Sequence, residues 1–518
     1  MLRLAPDGTL RQWSPAGAWR PVDDGAALPA WCERGPSCLT LVRTPDTCHD
    51  LYYMEWRGSW YACDELRPLV QLLPLAEREI PAATRAYLRA YRTLPYVHAI
   101  VGPIRRVHMF QRVACTAAPS GFRTASTVHA LRVSPSIVSL AEAAAQVGET
   151  FDRAAHAIGG TGNRTLLLSG GVDSTLLATC YRGEPFRYAV SVPGFKEYAI
   201  ETSYAREAAA LLGVPLEEVN APVDRLQSLL VDAVRDSLQP PNHTQTVLLY
   251  AAFRSAPGTY VTAQFADALF GFGRSVTGYA AAGLAGVLGV LQKLPLRPLL
   301  PARLVSALRV HEALQLPHGD SASWMSTYAR YLSRAGAANL VGHDMLAQLS
   351  AERWQVTNAT YPGPAPETAH AAMAYGQWLD YVHDDAIAIW TAMARAAGAT
   401  LVAPHHSTAM IEVAHRIGMP LRYSDGTRAK PVLRAMLGTR LPAYSLTKRK
   451  LGSGLPMSAM VSQAYPDLLR ELAAHELAAR QVSLSDGTPD SAEATWSVLA
   501  ASLWEEAVRQ APGSDAAQ

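Results

Sequence analysis

The residues best suited to chemistry lie in one glycine-rich loop, which reads LLLSGGVDS from Leu166 to Ser174. An apolar run enters the loop and a helical pattern leaves it, so the glycines stand where a helix begins. A helix N-terminus binds anions, and glycines let a phosphate approach without a Cβ in its way. Ser174 adds a hydroxyl donor, but Asp173 repels a phosphate unless a divalent cation lies between them. The loop therefore predicts a site for a nucleotide phosphate and a metal ion.

Two familiar nucleotide motifs do not fit this loop. It has neither the GxxxxGK[ST] pattern of a Walker loop nor the GxGxxG pattern of dinucleotide-binding proteins. A glycine-rich turn that only caps a helix would explain Gly170 and Gly171. It would not explain an aspartate that follows an S-G-G loop after a buried strand, so we favour phosphate binding.

Strand patterns alternate with helical patterns on both sides of the loop. The strand patterns are TLLLSGG (165–171), RYAVSVPGF (187–195) and SAPGTYVTAQF (255–265), and the helical ones are 139–160, closed by two glycines, and 203–213. Strands that alternate with helices predict an α/β fold with a doubly wound parallel sheet. Beyond residue 275 the chain reads as almost wholly helical, with no repeat period.

The first part of the chain has a different character, rich in Trp, Tyr, Cys and turn residues. CLTLVR (38–43) reads as a strand, and LYYMEW (51–56) and WYAC (60–63) read as a hairpin around a glycine turn. We expect a linker near 120–137. These patterns divide the chain into a small β-rich domain, 1–125, and an α/β domain with a helical C-terminal half, 126–518.

Composition predicts a globular protein of more than one domain, with 518 residues of which 49% are hydrophobic. The net charge of +2 gives no bulk attraction to nucleic acid. The first residues lack the apolar run of a signal peptide. The charge-free stretch from Ser275 to Gln292 sits at the lower length limit for a membrane span. We expect a buried or interface helix there, no stable membrane span, and a cytoplasmic protein.

The six cysteines do not indicate a disulfide scaffold, and none forms a CxxC pair. A zinc site from Cys32, Cys38, Cys48 and His49 is conceivable, but their spacing matches no established metal pattern. We expect buried free thiols.

The SGGVDS loop resembles the pyrophosphate loop of the ATP pyrophosphatase superfamily, whose members cleave ATP to AMP and pyrophosphate. Three further stretches resemble asparagine synthetases in the order of that family: 201–219, YVTAQFADALFGFG (260–273), and RAKPVLRAMLGTRLPAYSLTKRKLGSGLP (428–456). Together they cover roughly residues 140–460. The resemblance implies an ATP-dependent carbon–nitrogen ligase that forms an acyl-adenylate and then an amide.

The resemblance also implies which residues form the site. Asp173 and Asp267 would hold Mg²⁺, and Lys430 and Lys450 would contact phosphates and the developing charge. The residues assigned to ATP are Leu168, Ser169, Gly170, Gly171, Asp173, Ser174, Ser191 and Gln264. Counting supports the lysines, because only five of the 46 basic residues are Lys and three of these lie between 430 and 450. A compact ammonium group suits contact with a phosphate, although a chance cluster on a solvated loop is the alternative.

Other family features are changed in this chain. Residues 51–70 and 99–110 resemble the end of the glutaminase domain, but residue 2 is Leu where glutamine-dependent synthetases have the nucleophilic Cys. We therefore expect no glutamine hydrolysis, and a scaffold or substrate-docking role for 1–125. Residues that stand where the family has acids or Arg are neutral: Gln264, Ala268, Thr400, Val402 and Ser407. The acidic, aspartate-sized pocket of the family is thus lost.

This truncation and relaxed pocket resemble lasso peptide cyclases, which activate an Asp or Glu side chain of a precursor peptide and close it on the N-terminal amine. Our leading hypothesis is therefore macrolactam formation. The substrate would be a peptide or small-molecule carboxylate, and the partners could include a precursor-peptide protease or a leader-binding protein. The alternatives are a small-molecule amide or β-lactam synthetase, an ammonia-dependent asparagine synthetase, and a non-catalytic scaffold. Candidates for the base that deprotonates the amine are His405, His406, Tyr381, Asp384 and Asp385, and each also reads as a buried polar or helix-end residue.

Overall fold

The structure of the protein is a computed structural model. It describes residues 1–13, 18–22, 28–35, 38–158, 164–181, 186–188, 190–191, 196–271, 284–291, 332, 334–363, 378, 386–446, 464–473 and 489–513. The statements below refer to these residues. Within them the chain is mixed α/β, with antiparallel sheets at the start, a parallel sheet in the middle and helices in the C-terminal half.

Two antiparallel sheets fill the first part of the chain, in the strand orders β3-β2-β1-β7-β6-β8 and β10-β9-β5-β4. Their strands are β1 (Leu2–Leu4), β2 (Leu10–Trp13), β3 (Trp19–Pro21), β4 (Cys32–Arg34), β5 (Cys38–Val42), β6 (Leu51–Trp56), β7 (Ser59–Cys63), β8 (Arg105–Val107), β9 (Gln111–Ala118) and β10 (Gly121–Val128). The predicted hairpin is confirmed, because β6 and β7 pair with Trp56 opposite Ser59. Arg57 and Gly58 both have positive φ, as a two-residue type I′ turn requires.

A four-stranded parallel sheet with the order β12-β11-β15-β16 lies at the centre of the second part. The strands that follow β10 are β11 (Arg164–Leu166), β12 (Phe186–Tyr188), β13 (Val190–Ser191), β14 (Val219–Asn220), β15 (Thr259–Val261) and β16 (Thr400–Val402). This order confirms the predicted doubly wound α/β fold. The chain leaves β11 to one side for β12 and returns to the other side for β15. The carboxyl ends of β11 and β15 therefore flank a topological switch point, where such sheets bind ligands.

Helices connect and cover these sheets. They are α1 (Leu66–Leu72), α2 (Ala82–Tyr91), α3 (Leu140–His156), α4 (Val172–Thr179), α5 (Lys196–Leu212), α6 (Val223–Ser237), α7 (Thr246–Ser255), α8 (Ala266–Phe270), α9 (Ala285–Leu291), α10 (Arg334–Val341), α11 (His343–Thr360), α12 (Ala386–Ala396), α13 (Thr408–Arg416), α14 (Met419–Tyr423), α15 (Pro431–Arg440), α16 (Pro466–Leu468) and α17 (Pro489–Gln510). Helix α3 begins where the sequence predicts, since Ser139 caps it by accepting a hydrogen bond from the Glu142 amide.

Two expectations need correction, and a third is met with one exception. The predicted strand at 187–195 is broken, because β12 joins the four-stranded sheet whereas β13 pairs with β14 in a separate two-stranded sheet. The described part of the chain beyond 275 is predominantly helical, as expected, and its one described strand, β16, pairs with β15 in the central sheet. The linker expected near 120–137 starts too early, because β10 occupies Gly121–Val128. The division at residue 125 thus falls inside a strand, and the two-domain organisation stays a prediction.

The charge-free stretch at 275–292 is described only over 284–291. Helix α9 buries Leu288 but exposes Val287 and Val290, and Leu284 just before it is also exposed. These exposed side chains do not fit a fully buried helix, and the interface alternative stays a prediction. None of the described helices has the length and apolar character of a membrane span.

Two large cores hold the described elements together. One surrounds the parallel sheet and includes Leu166, Val261 and Leu401 from its strands. The other joins α1 and α2 of the N-terminal part to α6, α10, α11 and α17. The buried ring of Trp504 on α17 donates a hydrogen bond to the Leu238 carbonyl over 3.0 Å. Helices from both ends of the chain therefore share one core.

Candidate functional site

The glycine loop leaves the carboxyl end of β11 and turns sharply at Gly170, whose φ is +68°. A Cβ on this residue would lie 2.2 Å from the Tyr204 carbonyl carbon on α5, so no other residue fits without moving backbone. The Tyr444 hydroxyl donates a hydrogen bond to the Gly170 carbonyl from the opposite side. Leu168 packs in the sheet core, which anchors the start of the loop. The loop is held between α5 and the segment after α15.

Helix α4 begins directly after this loop, with Gly171 at its N-cap position and no described side chain as a cap. The helix N-terminus is therefore open to an anion. Beside it, the Ser174 Oγ accepts a hydrogen bond from the Ser169 amide over 3.1 Å and lies 3.1 Å from the Ser169 Oγ. Both hydroxyls can rotate, so either can donate to a phosphate oxygen instead.

Three charged side chains meet at the same edge of the sheet. Asp173 is in the first turn of α4 and Asp267 in the first turn of α8, which follows β15. The Lys430 Nζ forms ion pairs with both carboxylates. The side chains of Lys430, Asp173 and Asp267 are 6%, 16% and 38% exposed, respectively. Two carboxylates from successive strand ends thus converge on one cation.

Two of these residues depend on unusual backbone conformations. Phe265, just before α8, has φ +75°, and Lys430, just before α15, has φ +63°. Left-handed conformations are sparsely populated by residues other than glycine and cluster at functional sites. The bend at Phe265 sets the direction from which Asp267, two residues later, enters the site. The bend at Lys430 does the same for the Lys430 side chain itself.

His405 and His406 follow β16 at the same edge and are buried. Neither ring nitrogen of His405 has a hydrogen-bond partner among the described residues. Burial lowers the pKa of His405 to about 4, while Asp173 and Asp267 raise it and Lys430 lowers it further. The His405 ring packs 4.6 Å from Phe151 and the His406 ring 4.6 Å from Phe265, measured between centroids.

A comparison with protein families identifies the family of the chain. The model of the asparagine synthase family, described as "Asparagine synthase", matches residues 147–510, more than two thirds of the chain. The chain belongs to the asparagine synthase family. It is an ATP-dependent carbon–nitrogen ligase of the asparagine synthetase type, and the matched range contains the glycine loop, both aspartates and Lys430. The sequence matches no curated protein.

Arg422 ties helix α8, which carries Asp267, to helix α13 in this asparagine synthase-family chain. The Arg422 Nε donates a hydrogen bond to the Leu269 carbonyl on α8 over 2.7 Å. The Arg422 Nη2 donates to the His415 Nε2 over 3.1 Å, and the His415 Nδ1 lies 2.8 Å from the Ile411 carbonyl. Because guanidinium can only donate, the His415 proton must be on Nδ1 and the ring is neutral. Burial, together with Arg422, lowers the pKa of His415 well below its usual value.

Arg434 on α15 joins the two segments on either side of that helix. Its Nε donates to the Ala429 carbonyl over 2.9 Å, next to Lys430, and its Nη1 donates to the Leu446 carbonyl over 2.6 Å. Sequence reasoning missed Arg422, Arg434 and Tyr444, because each acts through a backbone carbonyl, and those of Arg422 and Tyr444 are more than 150 residues away. No local pattern marks such contacts.

The structure places the remaining predicted residues as follows. Gln264 is half-buried between β15 and α8, and its backbone N–H donates a hydrogen bond to the Thr262 Oγ1 over 3.2 Å. Ser191 belongs to the two-stranded sheet with β14 rather than to the four-stranded sheet. Lys450, like Tyr381, Asp384 and Asp385, lies outside the described residues.

The residues expected to replace the family's acidic pocket occupy different places. Thr400 starts β16 and is exposed, with its amide donating to the Gly258 carbonyl. Ser407 caps α13 by accepting a hydrogen bond from the Met410 amide over 3.3 Å. Thr400 is therefore at the amino end of its strand, opposite the edge that carries His405.

The cysteines carry no visible metal or disulfide chemistry. All six are free thiols, as the sequence predicts, although Cys38, Cys48 and Cys180 are only partly buried. Burial raises the pKa of Cys32 to about 12, which keeps that thiol protonated. Within the described ranges, no group of three or more His, Cys, Asp or Glu side chains is arranged to hold a metal. This finding gives no support to the zinc site considered for Cys32, Cys38, Cys48 and His49.

Proposed function

We propose that this edge of the sheet binds Mg²⁺ and ATP, and that the enzyme cleaves ATP between the α- and β-phosphates to activate a carboxylate. One observation carries the proposal: the carboxylates of Asp173 and Asp267 converge on a single positive atom beside a glycine loop and an uncapped helix N-terminus. A cation held there lies next to the place where the helix N-terminus attracts phosphates.

The side chains fit a magnesium ion. Mg²⁺ prefers carboxylate oxygens and commonly takes one or two of them together with substrate phosphates. The Asp173 Oδ2 and the Asp267 Oδ1 both pair with the Lys430 Nζ, so these two oxygens are already placed to share one cation. Two carboxylates alone do not form a full coordination shell, in keeping with an ion that arrives with ATP. When bound, Mg²⁺ would neutralise charge on the departing pyrophosphate.

In the proposed reaction, a substrate carboxylate oxygen attacks the α-phosphorus and the bond to the β-phosphate oxygen breaks. The product is a mixed acyl–AMP anhydride plus pyrophosphate. An amine then attacks the acyl carbon, AMP leaves with the electron pair of the C–O bond, and the amine nitrogen loses a proton. Lys430, and Lys450 from the segment after α15, would stabilise negative charge on phosphate and acyl oxygens.

The finer part of the proposal is macrolactam formation on a ribosomal peptide. The resemblance to lasso peptide cyclases supports it. So do the neutral Gln264, half-buried beside α8, and Ser407, whose hydroxyl caps a helix. A neutral pocket suits a side-chain carboxylate within a peptide better than a free amino acid, whose ammonium group needs an anionic partner. A small-molecule amide synthetase shares every other feature.

Product analysis tests both levels. We expect AMP and pyrophosphate only when Mg²⁺ and a suitable carboxylate are present, and a peptide substrate should lose one water in mass. Asp173→Asn and Asp267→Asn should each lower turnover by orders of magnitude, whereas the matched change Asp224→Asn, at an exposed carboxylate on α6, should not. Release of ADP and free phosphate would contradict adenylation. AMP formation with an amino acid but with no peptide would leave adenylation standing and refute the macrolactam assignment.

A further inference from the structure

His405 is an imidazole placed at the site without a visible task. It follows β16 on the edge that carries Asp267 after β15, and it is fully buried. A neutral imidazole has one donor and one acceptor nitrogen, and neither has a hydrogen-bond partner among the described residues. Leaving a buried polar group unsatisfied costs about 1–3 kcal/mol. Such a cost suggests a partner that the resting arrangement does not supply.

A second unsatisfied atom lies in the same site. The Asp173 Oδ1 is buried and has no hydrogen-bond partner among the described residues, because its ion pair with Lys430 uses Oδ2. After burial, Asp173 is the strongest influence on the His405 pKa, ahead of Lys430 and Asp267. Burial keeps the ring neutral at neutral pH, so one of its nitrogens carries a proton to donate. A buried donor without an acceptor and a buried acceptor without a donor therefore lie at the same edge of the parallel sheet.

We propose that His405 is a positioning residue for Asp173: its ring N–H donates to the Asp173 Oδ1, directly or through one buried water, and fixes the carboxylate for metal binding. The inference rests on the proposed function, because it takes Asp173 as a metal ligand. Carboxylates that ligate metals are themselves hydrogen-bonded, and loss of such an outer contact typically weakens metal affinity about 10–100-fold. Once His405 orients Oδ1, the Oδ2 that now pairs with Lys430 points towards the cation position.

The test measures metal binding rather than turnover. Mn²⁺ is titrated into the full-length protein with a non-hydrolysable α,β-methylene analogue of ATP, and free Mn²⁺ is followed by electron paramagnetic resonance. His405→Phe keeps the ring size and removes both nitrogens, and His405→Gln keeps a donor. We expect the dissociation constant for Mn²⁺ to rise about 10–100-fold in His405→Phe and to recover largely in His405→Gln. The melting temperature of ligand-free His405→Phe should equal or exceed that of the wild type, because an unsatisfied polar group leaves the core.

A His405 that only fills space in the core, without positioning Asp173, gives different results in these two variants. It predicts a lower melting temperature in both variants and no rescue by glutamine, and that pattern would overturn the inference. So would wild-type Mn²⁺ affinity in folded His405→Phe, provided that the wild type itself binds. If the wild type binds no Mn²⁺ with the analogue, the proposed function fails and this inference fails with it. Should His405→Phe not fold, the smaller His405→Leu gives the same comparison.

Discussion

Replacing Lys430 with Met removes a positive charge that lies between two carboxylates and keeps a side chain of similar length. The Lys430 side chain is 6% exposed and its Nζ pairs with both Asp173 and Asp267. Removal of one partner from a buried ion pair costs about 3–5 kcal/mol. Asp267 is 38% exposed, so water screens part of the repulsion, and we expect about 2–3 kcal/mol without nucleotide. In a protein this large, such a loss of unfolding free energy lowers the melting temperature by something on the order of 5 °C.

A divalent cation should reverse this loss. In Lys430→Met the carboxylates of Asp173 and Asp267 still converge, and Mg²⁺ can take the place of the ammonium between them. A ligand that binds only the folded state raises its stability in proportion to RT ln(1 + [L]/Kd). Added Mg²⁺ should therefore raise the melting temperature of the variant clearly more than that of the wild type, where Lys430 competes for the same oxygens.

Tryptophan fluorescence during heating, with EDTA and with Mg²⁺, measures both effects. Arg153→Met is the matched control, since Arg153 forms an exposed ion pair with Glu149 at 3.8 Å and such pairs contribute little. Its melting temperature should stay near that of the wild type under both conditions. Wild-type stability of Lys430→Met in EDTA would refute the ion-pair reasoning. If Lys430→Met shows the expected drop in melting temperature in EDTA but Mg²⁺ does not raise it again, the two aspartates do not form a cation site.

Two further predictions concern the loop and the response to acid. Gly170→Ala should lower the melting temperature and abolish binding of an ATP analogue, because a left-handed Ala costs about 1–2 kcal/mol and its Cβ would overlap the Tyr204 backbone. Analogue binding measured by calorimetry at wild-type affinity would contradict this. Stability should also fall as the pH drops from about 6.5 towards 4. In the folded state burial lowers the pKa of His49, His108 and His405 to about 4 and that of His415 well below its usual value. Between about pH 6.5 and 4 the unfolded chain therefore binds more protons than the folded one, and acid favours unfolding. A melting temperature that stays constant or rises on acidification would refute the prediction about the histidines.

The sequence predicted the parallel sheet and the glycine loop because their signals are local. An apolar run, two glycines and a helical pattern occur within a few residues of Asp173, and β11 lies where that pattern placed it. The strand β16 was missed because three residues, Thr400–Val402, show too little alternation to separate a strand from a helical segment. Its partner β15 is more than 130 residues away along the chain, beyond the reach of any local pattern.

The sequence predicted which residues form the site better than it predicted how they contact one another. Family resemblance named Asp173, Asp267 and Lys430, but it did not predict that the Lys430 Nζ would pair with both carboxylates. That contact depends on left-handed backbone at Phe265 and at Lys430 itself, where no glycine or asparagine gives a signal. The unsatisfied nitrogens of His405 are likewise a property of packing, because the surrounding side chains come from separate segments of the chain.

The core shared by α2 and α17 has a consequence for the order of events during synthesis. Arg92, at the end of α2, donates hydrogen bonds to the Ser497 Oγ and to the Glu493 carbonyl on α17. The ribosome makes these partners some 400 residues apart, and domains ordinarily fold as units while the chain is still growing. Strands β6 and β7 and helices α10 and α11 can cover part of this core earlier, but the face of α2 that packs on α17 stays uncovered until α17 has been made. A chain that stops before α17 would thus expose an apolar surface on α2 and leave the Arg92 guanidinium without these partners, so we expect such a truncated chain to aggregate.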